Sequence, residues 1–145
     1  MSASPSPLED EVAINKLVLT YARGADRRDG ALFASAFTED GVLDYNGRQS
    51  TGPSQLSKIP SALNTYTKTY HTVFNTLIEV DGDTAKGEVY SASHHLRPVE
   101  STIHSDRVMY ITYRDDYVRT PAGWRIKRRE VNVEFVEFKT VQIRT

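Results

Sequence analysis

Ile14, Leu17, Val18, Tyr21 and Ala25 follow i, i+3, i+4, i+7 and i+11, which aligns them on one face of an α-helix. Ser6, Pro7 and Glu9 sit just before this stripe as N-cap, first-turn proline and the third-position glutamate of a capping box. Asp29-Gly30 punctuates the chain, and Leu32, Phe33, Ala36 and Phe37 predict a shorter second helix ending at "TEDG", followed by a short strand from Val42 to Tyr45. Between residues 46 and 70 the pattern breaks, with Gly52-Pro53 as a helix start and Pro60 as an interruption, and a broken helix or lid is expected. From residue 70 the period becomes that of strands. "YHTVFNTLIEV" runs to a hairpin turn at "DGD", and "TAKGEVYSASHHLRP" runs back. "RVMYITYRDDYVR", a turn at "TPAG" and "WRIKRREVNVEFVEFKTVQ" complete the pattern. Helices followed by long antiparallel strands predict an α+β fold in which one sheet curls over the helices. Residues 1–7 are expected to be a mobile N-terminus, 8–140 a single domain and 141–145 a C-terminal tail.

The chain's 145 residues suffice for one core and a pocket of a few hundred Å³. The 18 basic and 19 acidic side chains leave a net charge of −1, unlike the basic footprint of a nucleic-acid binder. Lys127-Arg128-Arg129 is therefore expected on the solvated face of a strand. No cysteine is present, so disulfides, thiol nucleophiles and cysteine-type zinc sites are excluded and a reducing compartment fits. No apolar run approaches the ~20 residues of a membrane span, and "MSASPSP" lacks the pattern of a signal peptide. A cytoplasmic protein without nucleic-acid or membrane partners is expected.

The candidate chemistry rests on histidines and one aspartate. Asp26 lies near the end of the first helix's apolar stripe, where a carboxylate is costly unless partnered. His71 alternates with Val73, Asn75 and Leu77, which points its imidazole inward. His94 and His95 are neighbours on a strand and must face opposite ways. If Ser91, Ser93 and His95 share a row, that row is polar inside the sheet and suits a ligand-lined cavity, whereas the opposite register would put His94 inside. The same opposition argues against a metal site. His104 lies in the polar stretch "ESTIHSD" and is expected at the surface. Tyr21, on the core face of the helix, and Tyr45, at the end of the first strand, either knit the core or turn hydroxyls into a pocket. Trp124 is expected to pack. Serine-hydrolase, phosphate-loop, zinc-protease and dinucleotide motifs are missing, which leaves acid–base chemistry without a cofactor. Asp26 would fix the tautomer of His71, and His71 would act as base while His95 or Tyr45 protonates a leaving hydroxyl or polarises the carbonyl.

"ADRRDG" after a helix, a strand ending in "LDY", "YH" opening a long strand, a histidine late in the next, and "YRDDYVRTPAGWRIKRR" together resemble the SnoaL-like branch of the nuclear transport factor 2-like superfamily, over about residues 10–138. Within it the pattern is similar to scytalone dehydratases and hexachlorocyclohexane dehydrochlorinases. The resemblance implies a cone: a curved, mostly antiparallel sheet wrapped around N-terminal helices, with a pocket in its wide mouth. It implies a catalytic aspartate at Asp26, a basic histidine at His71, a second histidine at His95 and a substrate-binding tyrosine at Tyr45, with Tyr21 as a further candidate. Where scytalone dehydratases have a tyrosine before the aspartate, this chain has Ala25. The implied activity is dehydration of a hydroxylated cyclic, aromatic or polyketide-like carbonyl compound, with an isomerase, a cyclase or a non-catalytic ligand-binding module as alternatives. A homo-oligomer is implied, trimer ahead of dimer. No metal is implied.

Overall fold

A computed structural model describes residues 3–144, so Met1 and Ser2 of the expected mobile N-terminus and Thr145 of the expected tail lie outside the described residues. Helix α1 spans Pro7–Asp26 and opens on the expected capping box, with the Glu9 amide donating to Ser6 Oγ and the Ser6 amide donating to Glu9 Oε2. Ordered helix thus begins at Pro7. Helix α2 is Gly30–Ser35, capped by Asp29, whose side chain accepts from the Leu32 amide. Phe37 does not extend it, because the Ile126 amide donates to the Ala36 carbonyl and draws the chain into strand β1, Phe37–Tyr45. Strand β2 is Arg48–Thr51, joined to β1 by a tight turn at Asn46-Gly47 where both residues have positive φ. An Asn-Gly pair is the residue choice that a two-residue hairpin demands. Short helices α3 (Gly52–Leu56) and α4 (Ile59–Ala62) and a 3₁₀ turn (Leu63–Thr65) make up the expected broken segment.

Strands β3 (Lys68–Asp81), β4 (Thr84–Glu100), β5 (Ile103–Thr120) and β6 (Gly123–Gln142) follow as a meander. One curved, unclosed six-stranded sheet results, in the order β2-β1-β6-β5-β4-β3, antiparallel throughout except for the parallel pair β1 and β6. The last strand continues through Gln142, inside the segment expected as a tail. Ile14, Leu17, Val18, Tyr21 and Ala25 of α1 are all buried and join Phe33, Phe37, Val89, Ile111, Tyr113 and Ile126 in one core. Each large apolar side chain so buried contributes about 1.5–3 kcal/mol, and this burial seats α1 on the sheet.

Three expectations change once the strands pair. The alternation from His71 to Leu77 is interrupted by a register shift between Val73 and Thr76. An added residue inverts every side chain beyond it. Asn75 and Leu77 are consequently exposed, while Ile78 and Val80 pack on the core. His104 is a buried residue of β5, not a surface residue, because "ESTIHSD" contracts to a tight turn at Ser101-Thr102 and its Nδ1 meets the Thr102 carbonyl. Arg129 is fully buried rather than solvated, since Asp115 lies opposite it on β5 and takes its charge.

The close approach of α1 and α2 depends on Gly24. A Cβ there would lie 2.6 Å from the Phe33 amide nitrogen and 2.7 Å from its Cα. Gly→Ala in an exposed helix interior stabilises by about 1 kcal/mol. Here the obstacle is backbone that cannot turn aside, so Gly24→Ala is expected to destabilise by about 1–3 kcal/mol in denaturant unfolding. Stability equal to or above wild type would mean that the helices separate freely.

Candidate active site

Asp26 is the last residue of α1, and the packing of that helix against β3 brings its carboxylate to the edge strand. Its Oδ2 accepts from the His71 backbone amide at 2.8 Å, and its Oδ1 accepts from Thr69 Oγ1 at 2.9 Å and lies 2.6 Å from His71 Nδ1. A carboxylate facing Nδ1 places the ring proton there in the neutral imidazole and leaves Nε2 with its lone pair. Burial alone would raise the Asp26 carboxyl, but the His71 side chain and amide, together with Thr69, outweigh it and hold the group below the usual carboxylate range.

Arg28 completes this corner. It follows the helix with φ +57, in the left-handed region, and the Asp29 amide closes the helix on the Gly24 carbonyl. Its Nη1 donates to the Ala25 carbonyl and to Thr69 Oγ1 at 2.7 Å, and its Nη2 donates to the Leu63 carbonyl at 3.1 Å. Neither Arg28 nor Thr69 was legible as a site residue: "ADRRDG" has two arginines, and only the end of the helix decides which one folds back.

His95 faces inward and is 3 % exposed, on the same buried face as Ser91 and Ser93, while His94 turns to the other face and pairs with Asp106 at 2.6 Å. The polar row is therefore the inner one. The His95 ring centroid lies 5.9 Å from that of His71 and 4.9 Å from Tyr66, whose other neighbour is the Arg97 guanidinium. Among the described residues His95 Nδ1 meets two carbonyl oxygens, of Ser93 at 3.1 Å and Arg107 at 3.2 Å, so Nδ1 carries the proton. Burial, reinforced by His71, pushes the His95 pKa down against those two carbonyls. With the proton on Nδ1, Nε2 is left with a lone pair able to accept a hydrogen bond, and the lowered pKa disfavours the charged ring that an acid role needs.

The two tyrosines separate. Tyr45 is partly exposed, and its hydroxyl lies 3.8 Å from Met109 Sδ, in the row that runs through Ser93 to His71. Tyr21 is buried between Phe33, Phe37 and Tyr113 with Arg129 over its ring, a packing position rather than a substrate contact. Ser91 Oγ, Ser93 Oγ and Arg129 Nη1 are buried without a hydrogen-bond partner among the described residues. An open groove of about 490 Å³, lined by Asp26 and His71 with Ala22, Arg23 and Val73, reaches the pair from outside. Among the described residues no helix is long and apolar enough to cross a membrane.

Comparison with known proteins agrees with this fold. A protein of Mycobacterium tuberculosis (strain ATCC 25618 / H37Rv), Rv2910c, is 30% identical over 131 residues, covering 87% of this chain and 86% of its own. A provisionally assigned scytalone dehydratase of Novosphingobium aromaticivorans DSM 12444 superposes with a TM-score of 0.77 at 23% identity, covering 95% of this chain and 90% of that one. A hexachlorocyclohexane dehydrochlorinase, LinA type 2, superposes with a TM-score of 0.79 at 18% identity, covering 91% and 90%. The architecture is that of the nuclear transport factor 2-like, cystatin-like fold. A family model for the SnoaL-like domain matches residues 6–130, and the chain belongs to that family.

Proposed function

We propose that the protein is a lyase that removes water from a hydroxylated cyclic or polyketide-like carbonyl compound, with His71 as base and Asp26 as its orienting carboxylate. The observation that carries this reading is the 2.6 Å contact between His71 Nδ1 and Asp26 Oδ1, which leaves the in-plane Nε2 lone pair free in a ring whose centroid lies 5.9 Å from that of His95. Nε2 takes the proton from the carbon beside the carbonyl. The electron pair of that C–H bond forms the new C=C bond as the β C–O bond breaks. The hydroxide needs a proton, and the His71 imidazolium, stabilised by Asp26, is the acid at hand because His95 is neutral with its own proton held by carbonyls. His71 thus takes and returns one proton on the same face of the substrate, and water leaves. His95 Nε2 accepts a hydrogen bond from a substrate hydroxyl and orients it, and Tyr45 lines the approach. Such positioned proton transfer is worth about 10²- to 10⁴-fold.

The family match, and the neighbours described as a dehydratase and a dehydrochlorinase, support a small-molecule-converting enzyme that works by elimination. Without a leaving group the same base would act as an isomerase or cyclase. Product mass separates these outcomes. Incubation with a panel of aromatic and decalin-like β-hydroxy ketones is expected to give at least one product lighter by one water; a product of unchanged mass establishes isomerisation or cyclisation instead.

A further inference from the structure

Arg28 occupies a backbone conformation that suits glycine and that an arginine adopts at a cost. Its side chain uses that conformation to bridge three elements: the end of α1 through the Ala25 carbonyl, strand β3 through Thr69 Oγ1, and the 3₁₀ turn of the broken segment through the Leu63 carbonyl. Thr69 has one hydroxyl proton, and it goes to Asp26 Oδ1. Because Arg28 Nη1 donates to Thr69 Oγ1, that oxygen accepts from the guanidinium while its own proton is directed at Asp26. The Tyr66 amide in turn donates to the Leu63 carbonyl, and the Tyr66 ring stands 4.9 Å from His95. One guanidinium therefore touches both the hydrogen bonds behind His71 and the segment that carries the ring beside His95.

We infer that Arg28 is a positioning residue that couples the 63–66 segment to the Asp26 and His71 pair, fixing the orientation of Thr69 on one side and the Leu63 carbonyl on the other. It touches no reacting atom. The 63–66 segment is held in this position only while the fork is made, and a single cation serves both because its Nη1 and Nη2 point to different elements. The inference builds on the acid–base role of His71 only where turnover is the readout.

Arg28→Gly, Arg28→Lys and Thr69→Val separate the two arms. Glycine removes the fork and relieves the left-handed backbone, so the Tm of Arg28→Gly is expected to stay within a few degrees of wild type. Amide exchange at residues 63–66 should accelerate about tenfold, with β4 to β6 unchanged. Wild type is expected to show a far-downfield ring N–H signal of His71 by NMR, and in Arg28→Gly that signal should broaden. Arg28→Lys keeps the charge but cannot reach both arms, so it should retain the ring signal better than the exchange protection. Thr69→Val should broaden the ring signal and leave exchange at 63–66 as in wild type. Where a substrate from the panel turns over, Arg28→Gly is expected to lower kcat roughly tenfold with KM little changed. Wild-type exchange and a sharp ring signal in Arg28→Gly would overturn the inference, as would uniform acceleration across the sheet, which marks a general staple. Full activity of Asp26→Asn and His71→Ala would instead remove the proposed function and leave the exchange and ring-signal results to stand alone.

Discussion

His71→Ala is expected to lower turnover about 10²- to 10⁴-fold, the usual worth of a positioned general base. Asp26→Asn should fall in the same range for a different reason. The carboxylate accepts from three donors, Thr69 Oγ1, the His71 amide and His71 Nδ1. An asparagine has one acceptor oxygen and a donating amide. If that amide faces the ring, Nδ1 must accept, the proton moves to Nε2, and the base is lost with the fold intact. Fixed-concentration assays of both variants, with circular dichroism as a folding control, test this, and turnover within threefold of wild type in both would sink the dyad.

The same pair has a pH signature in stability. Asp26 titrates below its ordinary range in the folded chain, so it binds fewer protons folded than unfolded in that window. Its contribution is present above the ordinary carboxylate pKa and is lost as pH falls through the lower folded value. The Tm difference between wild type and Asp26→Asn should therefore shrink below about pH 4.

Asp115→Ala is expected to cost about 3–5 kcal/mol, a large share of the ~5–15 kcal/mol by which a domain of this size is stable. Arg129 is 0 % exposed, and its guanidinium is forked onto Asp115, with Nε to Oδ1 at 2.8 Å and Nη2 to Oδ2 at 2.6 Å. Its central carbon lies 4.4 Å from the Tyr21 ring centroid and 4.1 Å from that of Tyr113, and Tyr117 donates its hydroxyl to Asp115. Burial works against the Arg129 charge, and the Asp115 carboxylate more than offsets it. Without that carboxylate a full charge is left in a dry core, facing only ring faces that are worth far less. The double variant Asp115→Leu with Arg129→Met should recover most of the loss, because it removes both charges together. Denaturant unfolding measures each step. A loss below about 1 kcal/mol in Asp115→Ala would show that water reaches the guanidinium.

Much of the architecture was readable because it is local. The α1 cap and stripe, the "DGD" and "TPAG" turns and the four long strands each depend on residues within a few positions of one another. The Asn46-Gly47 hairpin is equally local but lies inside the segment expected as a broken helix or lid. The Asp26 and His71 pair, 45 positions apart, was reachable because an inward carboxylate demands a partner and an inward histidine was available. The roles of its neighbours were not. Assigning His95 as an acid requires knowing what its Nδ1 meets, and placing Tyr21 in a pocket requires knowing what stacks on it.

What the amino-acid order determined by itself is where helices begin, where strands turn and which residue types must seek partners, since backbone geometry and side-chain periodicity act over short spans. Tertiary structure alone decided that Arg129 is buried and Lys127 is not, that a register shift after Val73 turns Leu77 outward, and that Arg28 rather than Arg27 folds back onto Thr69. Those outcomes depend on which side chain lies across the sheet or beyond a helix end, and the free energy of a charge or a hydroxyl is set by that partner rather than by its neighbours in the chain.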